Sequence, residues 1–357
     1  MNFPIDRFSA SGPTWVPMSV VEKKNVQSLI EILMEKYPSF IGVIVEVHKA
    51  KGLEINSSNL LIEGSIGLLV VKLLDTQDSA SFDSHEFIYA HIKKLGLPGP
   101  HLIGGDNGEL IGLPFIAMEY IPGHFFSGSK SDLSMVGCAI RDFHQGFSDC
   151  KALEFPELPV LQSNSNLILT EFLETNDGWD SKFGADLAFM LRQNIDVLID
   201  TEARCSNSLA NLLKVEKAIL HVDLHPHNII VGASQAIVID VDSLKKVAWP
   251  SALGFCFYKL ARQVVALRGA KSTDYSELKD FFEIIVSGYG ISEKRISLCF
   301  LGGLTEILRR LLIILEGNLD AQVSPWNKVL KIQIQAISEM HFLYEKVFGY
   351  SFDEINH

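Results

Sequence analysis

The residues most able to do chemistry lie in one stretch, HVDLHPHNIIVGASQAIVIDVD, at positions 221–242. Within it, Asn228 follows Asp223 by five residues, and Asp240 comes after two short β-favouring runs. An asparagine carbonyl and a carboxylate suit a hard cation such as Mg²⁺, whose other ligands would be water and phosphate oxygens. A further carboxylate that is free to accept a hydroxyl proton completes a phosphoryl-transfer centre.

A hairpin would bring these groups together. If the runs between Asn228 and Asp240 pair Gly232 with Ala236, then Asn228 lies opposite Asp240. The hairpin therefore predicts two oxygen-bearing side chains next to each other, with Asp223 on the loop that precedes them.

The same stretch also permits a histidine-based zinc site, because His221, Asp223, His225 and His227 alternate. Pro226 argues against a regular strand that would place all four on one face. The other histidines are scattered and offer no second spaced pair. The oxygen-ligand interpretation is therefore favoured.

The run HVDLHPHN followed by VIDVD resembles the catalytic segment of the aminoglycoside phosphotransferase and choline kinase-like family, small-molecule kinases that share the protein-kinase fold. The resemblance implies that Asp223 is the catalytic base and that Asn228 and Asp240 hold Mg²⁺. His221 would brace the loop. Two roles remain open for Asp242: it is either a second acidic metal contact or a carboxylate that braces the loop.

The front of the chain resembles the nucleotide-binding lobe of the same family. GLLVVKLL (67–74) is similar to its third strand, so Lys72 would bind the α- and β-phosphates and Glu86, on the next helix, would be its salt-bridge partner. FIAMEYIPG is similar to the hinge, where backbone groups from Glu119 to Ile121 would bind adenine. The turn expected over the phosphates contains Ser57, Ser58 and Asn59.

The element pattern agrees with two lobes. Five strand-like runs occupy the front, with a helix at about 84–95 inserted after the third: FIGVIVEVHKAK (40–51), NLLIEGS (59–65), GLLVVKLLD (67–75), HLIGGD (101–106) and LPFIAMEYI (113–121). Helical spacing dominates the remainder, including 132–147, where we interpret His144 as structural. We expect an α+β, bilobal protein-kinase-like fold. Its parts would be a five-stranded antiparallel N-terminal lobe (1–120, with an extension at 1–18) and a larger helical lobe (121–357).

Composition excludes some function classes. With 31 basic and 43 acidic residues the net charge is −12, which disfavours nucleic acid and anionic membranes as partners. Five cysteines without a CxxC pair indicate a reducing compartment. The start has no apolar signal segment, and no run approaches the roughly 18 apolar residues of a membrane span. These features predict a cytoplasmic protein.

Together these observations predict Mg²⁺-dependent transfer of the γ-phosphate of ATP or GTP to a hydroxyl of a small molecule, such as an aminoglycoside, a sugar or an amino alcohol. The alternative is a kinase-like nucleotide-binding or regulatory protein with weak catalysis. Acidic residues of the helical lobe could receive a cationic acceptor or form a solvated face: Glu171, Glu174, Asp177, Asp180 and Asp186. Aromatic residues that could line the acceptor site or belong to the core are Trp179, Trp249, Tyr258 and Trp326.

Overall fold

The computed structural model describes residues 15–50, 59–74, 79–110, 112–126, 129–150, 155–160, 178–267, 275–319 and 327–343. Ser57, Ser58, Glu171, Glu174, Asp177 and Trp326 lie outside these ranges.

The N-terminal part is built on an antiparallel sheet of six strands in the order β1-β2-β3-β4-β6-β5. The strands are β1 (Trp15–Pro17), β2 (Ile44–Ala50), β3 (Asn59–Gly64), β4 (Leu68–Leu73), β5 (Leu102–Asp106) and β6 (Phe115–Glu119). The expected count of five was one too low, because the extension adds β1 along the edge of β2, with Trp15 opposite Ala50. A strand of three residues is too short to produce an alternating pattern in the sequence.

Helices cover both faces of this sheet. On one face lie α1 (Val20–Asn25), α2 (Gln27–Lys36) and α3 (Pro38–Ile41), where Leu29 and Leu33 share a core with Ile62 and Val71. A capping box between Ser19 and Glu22 starts α1. On the other face, α4 (Ser79–Leu95) contributes to a core that continues into the helical part.

The second part is mostly helical. Its helices are α5 (Lys130–Phe147), α6 (Trp179–Phe183), α7 (Ala185–Lys214), α8 (Trp249–Leu267), α9 (Tyr275–Tyr289), α10 (Ile296–Leu319) and α11 (Asn327–Phe342). None of the helices in the described ranges is both long enough and apolar enough to pass through a bilayer.

Short strands interrupt the helices and carry the candidate site. They are β7 (His124–Phe125), β8 (Lys217–His221), β9 (Ile229–Val231), β10 (Ala236–Val238) and β11 (Leu244–Ala248). Strand β9 pairs with both β10 and β7, and β8 pairs with β11. The loop after β8 therefore begins next to the point where the loop after β10 ends, because His221 lies opposite Leu244.

Candidate active site

The loop after β8 carries Asp223 and Asn228. A 3-10 turn at Pro226–Asn228 closes it, and the Asn228 Nδ2 donates to the Asp223 carbonyl oxygen at 2.9 Å. Since the amide nitrogen is used in this bond, the Asn228 Oδ1 is the atom left to contact a cation.

The hairpin exists, but its register differs from the expected one by a single residue. Ala236 lies opposite Val231 rather than Gly232, and the Ile239 N–H donates to the Asn228 carbonyl at 2.9 Å. The reason is the turn, where the Gly232 N–H donates to the Gln235 carbonyl, so that these two residues lie opposite each other and two residues, not three, form the tip of the turn.

This slip would turn the Asp240 side chain away from Asn228 if the strand continued regularly. Asp240 instead adopts a left-handed backbone conformation with φ 58°. Among the described residues, it alone combines a positive φ with a side chain. As a result both Asn228 and Asp240 line the same cavity.

Lys72 on β4 meets the acidic residues that follow the hairpin. Its Nζ lies 2.7 Å from Asp240 Oδ1 and 2.6 Å from Asp242 Oδ2. Burial alone would lower the pKa of Lys72, but the two carboxylates outweigh this effect and the pKa is raised. Lys72 is therefore held as a cation at the point where the two parts of the molecule meet.

The expected ion pair between Lys72 and Glu86 is wrong in this structure. Lys72 contacts Asp240 and Asp242, while the Glu86 side chain is exposed. The inward face of α4 carries His85, Ile88, Tyr89 and Ile92, a helical spacing that leaves position 86 on the outside.

His85 takes part in the site in place of Glu86. Its Nε2 lies 3.5 Å from Asp242 Oδ2. Burial would raise the pKa of Asp242, but the hydrogen bond from His85 and the charge of Lys72 outweigh it and lower the pKa. These contacts favour the second interpretation of Asp242, a carboxylate that braces the loop and Lys72.

His221 and His144 contact the backbone around the loop that carries Asp223. The His221 N–H donates to His144 Nε2 at 3.1 Å, and the His221 ring Nε2 lies 2.9 Å from the Asp240 carbonyl oxygen. Burial lowers the pKa of His144 to about 3, so its ring is neutral. Both histidines thus have structural contacts of the kind expected from the sequence.

The zinc alternative finds no support in the histidine stretch. Among the described residues, the group whose candidate ligand atoms come within 4.8 Å of one another is Glu46, His48 and Glu63, on the sheet of the N-terminal part. His221 is turned toward the Asp240 backbone, and the His227 ring packs edge-on against Phe125.

A cavity of about 450 Å³ connects these groups. Six residues predicted from the sequence line it: Asn59, Lys72, Glu119, Ile121, Asn228 and Asp240. His225 also lines the cavity, and its Nε2 lies 3.9 Å from Asp223 Oδ2. The metal-ligand candidates and Lys72 therefore line one space, and the base candidate Asp223 lies next to His225 at its edge.

Comparison with known proteins identifies the family. The family model described as phosphotransferase enzyme family matches residues 50–245, more than half of the chain. The chain belongs to the phosphotransferase enzyme family. A sequence search of curated proteins gives no significant match.

Solved structures agree in fold with this phosphotransferase-family chain. A spectinomycin phosphotransferase in complex with ADP and spectinomycin is 15% identical, with 88% of this chain and 93% of that chain covered and a TM-score of 0.58. A choline kinase from Streptococcus pneumoniae is 14% identical, with 87% and 99% covered and a TM-score of 0.52. An amicoumacin kinase in complex with AMP-PNP, Ca²⁺ and Ami is 11% identical, with 93% and 99% covered and a TM-score of 0.55. The expected α+β, bilobal protein-kinase-like fold is confirmed.

The phosphotransferase-family site contains a residue that the sequence reasoning missed. Arg310 on α10 donates to Asp223 Oδ1 at 3.0 Å and to the Val222 carbonyl at 2.9 Å. Burial would raise the pKa of Asp223, but the charges of Arg310, His225 and Lys259 outweigh it and lower the pKa. Asp223 is therefore ionised and fixed in orientation.

A signal for Arg310 was present in the sequence. The run LTEILRRLLIILEG (304–317) places Glu306, Arg309 and Arg310 inside an otherwise apolar helix. Charged residues in a buried helix are expected to be paired. Glu306 is 3% exposed and bonds both arginines, which leaves Arg310 able to reach Asp223 as well. The partner 87 residues away could not be identified from the spacing.

The acceptor candidates from the sequence do not line the cavity where they are described. Trp179 and Tyr258 are buried in the core, and the Trp249 ring lies under Arg295. Asp180 pairs with Arg192, and Asp186 is exposed. Lys259 on α8 and Val329 and Ile332 on α11 do line the cavity, although the sequence pattern predicted none of them.

Proposed function

We propose that this chain is a Mg²⁺-dependent O-phosphotransferase that moves the γ-phosphate of ATP or GTP to a hydroxyl group of a small molecule. The observation that carries the proposal is the Lys72–Asp240–Asp242 cluster, at a cavity that Asn228 also lines and next to the loop of Asp223. The bound ADP and AMP-PNP of two structural neighbours support the use of a nucleotide.

The donor set fits a hard divalent cation. Asp240 supplies carboxylate oxygens, and Asn228 supplies an amide oxygen because its nitrogen is bonded to the Asp223 carbonyl. When bound by these residues, Mg²⁺ would neutralise charge on the nucleotide phosphates.

Residues of the N-terminal lobe bind the nucleotide, with support from Asp242. Lys72 binds phosphate oxygens, and Asp242 together with His85 holds it in position. The hinge backbone from Glu119 to Ile121 and the side chain of Asn59 bind the nucleotide from the N-terminal lobe.

Asp223 accepts the proton of the acceptor hydroxyl, as its place beside the cavity allows. Arg310 keeps the Asp223 carboxylate ionised and fixes its orientation. We propose residues 1–120 as the nucleotide-binding lobe and residues 121–357 as the lobe that supplies the base and the acceptor site.

A turnover screen tests the proposal. Purified protein with Mg·ATP or Mg·GTP is incubated with a panel of sugars, amino alcohols, aminoglycosides and hydroxy acids, and the phosphorylated product is detected by mass spectrometry. A product that requires Mg²⁺ and is lost in Asp223→Asn supports the proposal. Tight nucleotide binding with no product from any compound would instead favour the alternative, a nucleotide-binding protein with weak or absent catalysis.

A further inference from the structure

The acceptor side of the cavity has a charge pattern that differs from the one expected for a cationic substrate. Of the described residues that line the cavity, the carboxylates are Glu119 and Asp240. Glu119 lies at the hinge, with its Oε2 3.5 Å from the His101 Nδ1, and Asp240 is bound to Lys72. Both therefore belong to the nucleotide side.

The helical lobe presents basic and apolar groups to the same space. Lys259, His225 and His227 line the cavity, and Val329 and Ile332 of α11 form an apolar wall. Apart from Asp223, which Arg310 already binds, an ammonium group on the acceptor would meet no described carboxylate on this side of the cavity and would lose hydration there. A carboxylate or phosphate on the acceptor would gain a charge-assisted hydrogen bond there.

Lys259 is positioned near the base. Its Nζ lies 5.3 Å from the centroid of the Phe255 ring, and the Arg310 guanidinium carbon lies 4.1 Å from the same centroid. Arg310 bonds Asp223 directly, so one aromatic ring contacts both the cation that binds the base candidate and the cation that lines the cavity. The spacing of Phe255 and Lys259, four residues apart on α8, places both on one helix face.

We propose that the acceptor is a hydroxyl compound that carries an anionic group, and that Lys259 binds this group while the hydroxyl lies at Asp223. The inference rests on the proposed function and specifies its substrate class. Lys259 then selects the acceptor by charge and has no part in binding the nucleotide.

Three acceptors of one carbon skeleton test the charge preference: glycerate, glycerol and aminopropanediol, which end in a carboxylate, a hydroxymethyl and an aminomethyl group. Binding is measured as the shift in melting temperature of the full chain, with and without Mg·AMP-PNP. We expect glycerate to bind about tenfold or more tightly than either other compound, as a charge-assisted hydrogen bond predicts. Equal binding, a preference for aminopropanediol, or no shift with any of the three would overturn the proposal.

Variants assign the preference to Lys259. Lys259→Met should remove the advantage of glycerate over glycerol, and Lys259→Arg should retain most of it. Lys94→Met, at the exposed end of α4, is the control and should behave as wild type. A glycerate preference that persists in Lys259→Met would assign the anion to another group and refute the role of Lys259.

Two comparisons separate this inference from the proposed function. If Lys259 bound the transferred phosphate, Lys259→Met would weaken AMP-PNP but not ADP in the absence of acceptor, which would contradict the acceptor role. If Mg·AMP-PNP itself does not bind, the proposed function fails, whereas the measurements without nucleotide still report on Lys259.

Discussion

At the scale of single residues, two carboxylates of the site differ in the residues that bind them. Asp223 is bound by Arg310, whereas Asp240 is bound by Lys72 and lies close to Asp242. Burial and the neighbouring Asp242 raise the pKa of Asp240, while Lys72 opposes the shift. Such different surroundings are typical of carboxylates with different tasks.

The first prediction separates the base from the metal ligands. Asp223→Asn keeps the shape and removes the basicity, so turnover should fall by about 10²–10⁴-fold while Mg·nucleotide affinity stays nearly unchanged. Asp240→Asn and Asn228→Ala should both weaken Mg²⁺-dependent nucleotide binding as well as turnover. Calorimetric affinities and steady-state rates for the three variants provide the test. Loss of nucleotide binding in Asp223→Asn alone would reverse the assignment.

The second prediction concerns Arg310. In Arg310→Met, Asp223 loses the charge that lowers its pKa, so the acid limb of kcat/KM should move to higher pH and kcat should fall. Arg309→Met is a matched control, because it also removes a partner of Glu306 but leaves the bond to Asp223 intact. Identical pH profiles for the two variants would contradict a role for Arg310 at the base.

At the scale of elements, helices α8 and α10 position the two cations of the helical lobe. They approach closely because glycines face each other at the crossing: a Cβ on Gly254 would lie 1.8 Å from the Cys299 carbonyl oxygen. Lys259 and Arg310 extend from these helices toward the cavity and toward Asp223. The glycine contact therefore holds the helix that carries Lys259 close to the helix that carries Arg310.

The third prediction follows from this crossing. Gly254→Ala places a methyl group into the backbone of α10, so the helices must separate and the free energy of unfolding should fall by about 2–3 kcal/mol. Gly232→Ala is the control, because the nearest atom to its added Cβ is 3.4 Å away and its φ is not positive. Urea unfolding of both variants gives the values. A similarly small effect for the two would show that the crossing tolerates a side chain.

The fourth prediction uses the contact between α5 and β8. His144 is buried and neutral, with a pKa of about 3 against an ordinary value of 6.5. Between these values the unfolded chain binds a proton that the folded chain does not, so stability falls as the pH drops through this window, by up to about 1.4 kcal/mol per pH unit.

The replacement His144→Gln should remove this contribution. The variant is expected to be less stable than wild type at neutral pH, because the bond to the His221 N–H is altered. The difference should narrow as the pH is lowered from about 6.5 toward 4. Denaturant unfolding at several pH values measures the free energy of unfolding of both proteins. If their difference stayed constant over this pH range, His144 would be protonated in the folded protein.

At the scale of the whole molecule, the cavity draws on both lobes. Val70, Lys72 and Met118 come from the sheet, whereas His225, Asn228 and others come from the helical part. The extension also contributes, because Trp15 of β1 lines the same space. A ligand that fills the cavity would therefore stabilise the two parts together.

The fifth prediction is that Mg·ATP or Mg·GTP stabilises the whole chain. At about 100 times the dissociation constant, the gain should be roughly 2.7 kcal/mol, visible as a single shifted melting transition. Nucleotide with EDTA in place of Mg²⁺ is the control and should stabilise less. An unchanged melting curve with Mg²⁺ and either nucleotide would contradict the proposed function.

The sequence by itself determined the parts of the fold and site that depend on local pattern. The alternating and helical runs predicted the order of lobes, and the spacing from His221 to Asp240 predicted a hairpin that brings Asn228 and Asp240 to one cavity. Short-range spacing is sufficient to predict the hairpin, but not its register, because the turn and the loop are continuous in the chain. The capping box at Ser19 follows from the same local rules.

Only the tertiary structure decided which distant groups meet. The rotation of α4 about its axis places His85, and not Glu86, toward Asp242. The hairpin register differs by one residue from the predicted one, and the left-handed backbone of Asp240 returns its side chain to the cavity. Arg310 of α10 bonds Asp223 of the loop after β8, although the two residues lie 87 positions apart in the chain. Such contacts depend on how helices and loops pack against one another. The residue pattern of one segment does not indicate which distant segment will lie beside it.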